Sequence, residues 1–575
     1  MSRAWKIFLA AAAASGIAVA VFHLSSHQDP PLDPTTAPKG LPRRLATLLA
    51  PHPDLNPPPE GPVYVALRAQ GIRVGEGWAS GLTWRHAAIN ATEKVRAEHP
   101  DREAHIDAIE LCVPHSYRNR AIRRRRGSLS NSHRGIDGLE LTFHDKVSRY
   151  CPTSMIARNQ SFPLVDTAFR REHGIKKDDF YSDASARSFG AHQFLVQLGN
   201  QDHIKPMYRG NTVVTMKAVT SKGVHRLARL MGDWMVQQLQ DNGRMIYRYF
   251  PSSGRESTGN NMIRQYMASL CLVRLAQWRK DSDLMARAEH NLRYNFSRFF
   301  RRDGDIGLIT FRGRSKLGAA ALAALGVVEA PFRDKLQEFE TPLVRMTEQM
   351  LQPEGRFITF YGTTSHDNAN FYAGETLLLW ATMYQKQQDP ALLERFMRAF
   401  RYYKEWHLDN RNPAFIPWHV QAYYRMWQVT KDPALSDFVF VMSDWLLDMQ
   451  EWDESPYLDT LGRFYDDNRR QYGVPHASST GVYLEGYIDA YRLAKELGDE
   501  GRMVNYRLAI LRGLRSLMQL QFEDDIDMFY VSRQDRVLGG IRTTVYDNSI
   551  RVDNVQHGLM AIMRIIDEFD AHDLW

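Results

Sequence analysis

Seven side chains in the second half of this sequence are of the types that move protons: Asp367, Glu375, Glu485 and Asp553, with His419, His476 and His557. Glu375 and Glu485 fall inside helical stretches, where a carboxyl facing an apolar wall has a raised pKa and suits a general acid. Asp367 and Asp553 stand at helix starts, where an ionised carboxylate would complete the pair as a base. The three histidines, or Tyr372, would instead take a proton next to a carbonyl or carboxylate. Arg264, Lys316, Arg542 and Arg551 suit an anionic group. Asn370, Gln421 and Gln556 suit hydrogen bonds to hydroxyls, and Tyr372, Trp418, Tyr423 and Tyr483 offer flat apolar faces. Plainer roles stand beside these. Ser478, Asn368 and Asp553 are ordinary N-cap types, and a buried Glu375 or Glu485 is as readily a structural acid paired with an arginine. Spacing alone does not choose between carboxylate and histidine chemistry.

What must position these residues is a repeat. Six times from about residue 215 to the end, a helical stretch is followed by a short loop and a second helix. Five loops carry strand-like segments, as in Asn242–Phe250, Asp303–Phe311, Glu354–Gly362, Leu461–Asp467 and Asp525–Ser532; the crossing at Asn410–Pro417 is a bare turn. Apolar spacing puts the first helix of each pair near residues 223, 282, 332, 390, 433 and 499. The second helices start near 258, 315, 368, 416, 476 and 551. Each unit cannot bury its apolar face alone and must stack on its neighbours, and six hairpins suffice to close a ring. Leu317–Gly326 is nearly all small residues, as close-packed inner helices require. All the residues singled out above except Arg542 belong to second-helix starts, which share one rim, so a closed ring gathers them into a polar funnel. The fold expected is mainly α, an (α/α)6 toroid over 215–575.

Two segments carry a resemblance: Phe371–Phe396, "FYAGETLLLWATMYQKQQDPALLERF", and Tyr483–Met503, "YLEGYIDAYRLAKELGDEGRM". Both show a Gly-and-Glu helix start, an aromatic-bearing helix and a short turn, and they resemble the six-hairpin carbohydrate-active superfamily of glycoside hydrolases, polysaccharide lyases and sugar epimerases. The resemblance implies a polysaccharide or oligosaccharide substrate, an acidic one given the arginines. Its first implication is hydrolysis by two carboxylates ~6.5–9.5 Å or ~5–5.5 Å apart, with Glu375 or Glu485 as acid and Asp367 or Asp553 as base. Epimerase or lyase chemistry through His419, His476 or His557 is the alternative, and a non-catalytic glycan-binding scaffold subunit of an envelope polymer machine is a third.

The N-terminal part lacks this rhythm. Gly61–Ala69, Ile106–Val113 and Gly135–Phe143 alternate like strands and Trp84–Pro100 like a helix, which suggests a smaller α/β domain over 59–205. "GPVYVALRAQGIRVG" (Gly61–Gly75), "GIDGLEL" (Gly135–Leu141) and the Pro152 helix ending in Glu172–Ile175 resemble the AMMECR-type α/β domain, without the cysteine that family carries after its first strand. Residues 1–24 form a signal peptide or membrane anchor: Arg3 and Lys6 precede the uncharged run Ile7–Phe22. The charge bias places the rest outside the cytoplasm, periplasmic or tethered to the inner membrane, with 25–58 as a Pro-rich linker.

The net charge is +7. The Arg123–Arg126 run with His133 and Arg134 is expected to be a solvated loop, and no nucleic-acid partner is expected. Cys112 and Cys151 are close enough in sequence to pair; Cys271 has a core position. No His pair has zinc-site spacing, and no phosphate loop or nucleophile elbow occurs. Asp303/Asp305 and Asp524/Asp525/Asp527 lack a full calcium pattern. No metal and no cofactor are expected.

Overall fold

The computed structural model describes residues 40–51, 61–99, 105–122, 129–199, 201–453 and 455–575. The signal or anchor segment, most of the proline-rich stretch and the Arg123–Arg126 run lie outside them. Among the described residues no helix is long and apolar enough to cross a membrane. The chain forms two compact units: 40–69, 73–117 and 189–206 in the first, and 70–72, 118–188 and 207–575 in the second. The second unit thus takes in residues 118–188, which the boundary expected at 205 had grouped with the N-terminal domain.

In the first unit, α1 (Leu41–Leu49) packs on α2 (Trp84–Glu98). Leu41, Leu45 and Leu49 form its buried stripe at helical spacing. This corrects the reading of 25–58 as linker throughout: the three leucines make its later part a core helix. Strands β1 (Val63–Ala69), β2 (Ile72–Ala79) and β3 (Ala108–Arg120) follow the order β2-β1-β3, with Tyr64 opposite Cys112 in an antiparallel pair.

The next elements are β4 (Asp137–Phe143), β5 (Lys146–Tyr150), α3 (Pro152–Ala157), α4 (Phe162–Glu172), α5 (Lys177–Asp183), β6 (Ser185–Gln197) and β7 (His203–Met207). β4 and β5 make an antiparallel hairpin packed on α4 and α5 through Leu139, Leu141, Phe162, Phe169 and Phe180. In the first unit β6 lies beside β3, and β7 beside β6. All three cysteines are buried and none is in a disulfide, so the expected bridge between Cys112 and Cys151 is not formed.

The helical repeat comprises α6 (Ser221–Gln237), α7 (Met262–Arg279), α8 (Ser282–Phe299), α9 (Leu317–Glu329), α10 (Gln337–Gln349), α11 (Ala369–Gln387), α12 (Pro390–Asp409), α13 (Ile416–Thr430), α14 (Pro433–Leu447), α15 (Ala477–Leu497), α16 (Glu500–Leu520) and α17 (Val552–Glu568). Packing runs α7 to α9, α11, α13, α15, α17 and back to α7, so the second helices close an inner ring. The even-numbered helices form the outer layer. The unit is an (α/α)6 toroid.

Inner helices bury nearly every side chain; in α9 only Glu329 escapes full burial. Their closest approach uses glycine, since a Cβ on Gly481 of α15 would stand 2.6 Å from the Gly558 nitrogen of α17. Gly481→Ala is therefore expected to cost about 1–3 kcal/mol by overpacking, read as a lower Tm.

Three of the loops joining outer to inner helices build two sheets: β10 (Phe300–Asp303), β11 (Ile306–Phe311) and β12 (Arg314–Ser315) form one, and β13 (Arg542–Thr544), β14 (Asp547–Arg551), β8 (Arg248–Phe250) and β9 (Arg255–Glu256), in that order, form the second. β14 leads directly into α17. The 118–188 segment docks on this rim: the Asn159 amide donates to Asp547 (3.0 Å), and the Asn548 amide donates to the Ile156 carbonyl (2.9 Å). Arg209 completes the clasp, donating to Asp459 (2.6 Å) and to the Ser132 carbonyl (2.8 Å). Arg134 is buried here, its guanidinium on Asn159 and its pKa lowered to about 10 by burial, so it is not part of a solvated loop.

Candidate active-site funnel

The six inner helices all start at the rim reached from the outer-layer C-termini, so their free backbone N–H groups and positive dipole ends point the same way. The caps differ from those expected. Asn261 accepts from the Arg264 N–H, and the His476 ring accepts from Ser479 N–H (3.2 Å). Asn368 is left-handed and caps nothing with its side chain, Ser478 bonds the His476 ring (2.7 Å), and Asp553 lies inside the first turn of α17.

Asp553 is held between two guanidinium groups. It accepts from Arg264 Nε at 2.6 Å, and from Arg551 Nε and Nη2 at 2.9 and 2.8 Å. Burial alone would raise its pKa, but Arg264, Arg551 and His557 outweigh burial and hold it at about 2. Arg264 also donates to Tyr247 (3.0 Å) and Arg551 to Ser478 (3.2 Å), so the two cations are fixed at the funnel wall.

His557, one turn beyond Asp553 on α17, donates Nδ1–H to Glu485 of α15 at 2.7 Å. A carboxylate can only accept, so the neutral ring keeps its lone pair on Nε2. His476 is the complement. Its Nδ1 accepts a backbone N–H, so the neutral ring carries its proton on Nε2, and burial together with Arg551 lowers its pKa to about 4. Trp418 packs edge-on against His557, ring centres 5.8 Å apart.

Across the ring, Glu375 of α11 is 1 % exposed and its Oε2 has no hydrogen-bond partner. Burial raises its pKa to about 8 against the opposing charge of Lys316, which leaves the carboxyl neutral at pH 7. Tyr372 lies within the field of both Glu375 and Arg264. Gly318 makes room for the acid, since a Cβ there would overlap Glu375 Oε2. Gln421 and Gln556 are fully buried with unpartnered amide atoms.

The remaining candidates stand elsewhere. His419 is stacked on Phe415 (3.4 Å), donates Nδ1–H to its carbonyl (2.7 Å) and has its pKa pushed down to about 3 by burial. It faces the outer-layer ring of Tyr403 (5.9 Å), and Tyr423, one turn on, faces Phe400 and Phe438. Arg542 donates to the carbonyls of Gln519 and Leu520 and clamps the end of α16. Tyr483 turns against Phe464. Asp367 is exposed, its carboxylate making no ion pair or hydrogen bond among the described residues, and Asn370 is half-buried beside it.

Below the funnel lies a buried ion network that sequence reading missed. Arg274 pairs with Glu329 (2.7 Å), Arg425 joins the same carboxylate (3.2 Å), and Arg564 holds Asp489. All three guanidinium groups act on Glu485. The signal was present: beyond the polar helix starts, each arginine stands between apolar neighbours, Val273 and Leu275, Tyr424 and Met426, and Met563 and Ile565.

No family model matches the chain, and no curated protein matches it. Among solved structures it is similar to a D-mannose isomerase (11% identity, 62% of this chain and 97% of that one, TM-score 0.45). It is also similar to a family 76 glycoside hydrolase from a bovine Bacteroides thetaiotaomicron strain (8%, 80% and 96%, 0.45), and to a cellobiose 2-epimerase from Bacillus thermoamylovorans B4167 (11%, 61% and 99%, 0.44).

Proposed function

We propose that the funnel is the active site of a carbohydrate-processing enzyme that works on an anionic saccharide by proton transfer. The observation that carries this reading is the Glu485–His557 dyad standing in one funnel with a neutral carboxyl, Glu375. A base fixed by its own carboxylate and an acid protonated at pH 7 form a complementary pair. Arg264 and Arg551 would hold a sugar carboxylate, with His476 Nε2–H as a further donor. His557 Nε2 would take the proton on the carbon next to that carboxylate, and the guanidinium groups would stabilise the charge that develops. Return of a proton from the Glu375 side gives the epimer; loss of the oxygen at the neighbouring carbon gives an unsaturated lyase product. Trp418 and Tyr372 supply apolar faces for the rings.

Glycoside hydrolysis is the second reading, and the neutral Glu375 favours it. Its weakness is the second carboxylate: Asp553 is tied by three hydrogen bonds from arginines and is a poor base, and Asp367 sits out at the rim. The basic then apolar start of the chain supports an envelope location, tethered at the inner membrane or periplasmic.

The test is incubation with acidic and neutral polysaccharides in heavy-oxygen water, and in parallel in deuterium oxide, with products read by mass spectrometry. Deuterium uptake without a change of chain length, or products lighter by one water, is the expected result. A heavy oxygen at a new reducing end would replace it with hydrolysis. Binding without any mass change would leave a glycan-binding scaffold.

A further inference from the structure

We infer that the enzyme grips an extended anionic polysaccharide along a basic and aromatic track that climbs out of the funnel over the β10–β12 sheet. The inference rests on the funnel being a saccharide site, and it adds the length and charge of the chain that enters. The track starts at the turn of the β11–β12 hairpin. Arg312 and Arg314 are exposed there, Arg312 over the Phe311 ring (5.4 Å) and Arg314 over the Phe360 ring (6.0 Å). Phe360 is held beside the hairpin by backbone pairing, with Tyr361 N–H on the Ser315 carbonyl (3.0 Å) and Leu317 N–H on the Thr359 carbonyl (3.0 Å).

From there the path is continuous. Phe360 meets Tyr372 edge-on at 6.0 Å. Lys316 follows Arg314 by two residues and lies within the field of Arg264 and Glu375, and Arg264 and Arg551 meet on Asp553. Cations and aromatic faces therefore alternate from the surface to the acid–base groups. Arg301 and Arg302 on β10 add exposed positive charge beside it. The two acids of this hairpin are already engaged, Asp303 by the Tyr361 hydroxyl (3.0 Å) and Asp305 by Arg345 (3.1 Å).

An anionic polymer fits this arrangement: its carboxylates meet the guanidinium groups that Phe311 and Phe360 support, and its apolar ring edges pass beside the two phenyl rings. A monosaccharide would use the funnel alone and leave the track idle.

The test is affinity electrophoresis of the full chain in gels containing polygalacturonate or dextran. Polygalacturonate should retard the wild type and an outer-layer control, Lys222→Ala with Arg401→Ala. Arg312→Ala with Arg314→Ala should weaken retardation about tenfold at low salt, with the difference fading as salt screens the charges. Dextran should retard none of them. Equal retardation of the double variant and the wild type overturns the track, as does dextran matching polygalacturonate. A single-stranded oligonucleotide that retards more strongly than polygalacturonate assigns the surface to nucleic acid instead and overturns the glycan. Because retardation needs no turnover, loss of the proposed reaction with retardation intact removes the reaction and leaves the track standing.

Discussion

His557→Gln is expected to lower kcat by about 10²–10⁴-fold, the usual worth of a positioned general base, and Glu485→Gln should do nearly as much. Glu485 accepts the Nδ1–H of His557 at 2.7 Å and thereby leaves the lone pair of the neutral ring on Nε2. An amide in its place would offer an N–H to Nδ1, drive the proton to Nε2 and remove the base. Because the two residues act as one unit, the double variant should be little worse than either single one. The check is kcat and KM for the four proteins on whichever acidic polysaccharide shows turnover. Independent, multiplying effects would mean that Glu485 supports only the fold. Glu375→Gln gives the matching control. The carboxyl is already neutral at pH 7, so the amide should abolish turnover without lowering Tm there.

A stability maximum close to pH 6.5 is the second large effect. Burial lowers the pKa of His407 and His476 to about 4 and that of His419 to about 3. Below 6.5 the unfolded chain binds protons at these rings and the folded chain does not, so each removes about 1.4 kcal/mol per pH unit as the pH falls toward its folded value. Two buried carboxyls act the other way: burial raises the pKa of Glu375 to about 8 and raises that of Asp527, and Glu375 stays protonated in the folded state while its unfolded counterpart ionises. Burial lowers the pKa of His192 as well, so the histidines outnumber the carboxyls and their loss dominates on the acid side. Above 6.5 the histidines fall silent and stability declines with rising pH until Glu375 ionises. Tm measured from pH 4.5 to 8.5 should therefore peak near 6.5. His419→Phe should flatten the acid limb and Glu375→Gln the alkaline limb. An acid limb unchanged by His419→Phe would contradict the assignment.

Periodicity decided the helical half. Apolar spacing and polar loops put the ring helices within a few residues of where they lie, because a stacked hairpin must keep one face apolar whatever surrounds it. The small-residue run of α9 announced an inner helix for the same reason. The direction of each polar side chain was less legible. His419 and Trp418 are neighbours in sequence, yet one turns to the outer-layer aromatics and the other to the funnel. Only the 100° step per residue, referred to the ring axis, separates them.

The sequence alone determined which residue types stand at each inner helix start, and that six such starts share a rim. The tertiary structure decided how they work. It placed Glu485 against His557 across two helices, locked Asp553 between Arg264 and Arg551, and left Glu375 neutral by burying it without a partner. It also drew residues 118–188 onto the rim through Arg209 and Asn159. Apart from Arg551 and Asp553, two residues apart, these pairings link positions tens to hundreds of residues apart, and their energies depend on distance and burial, which one-dimensional spacing does not contain.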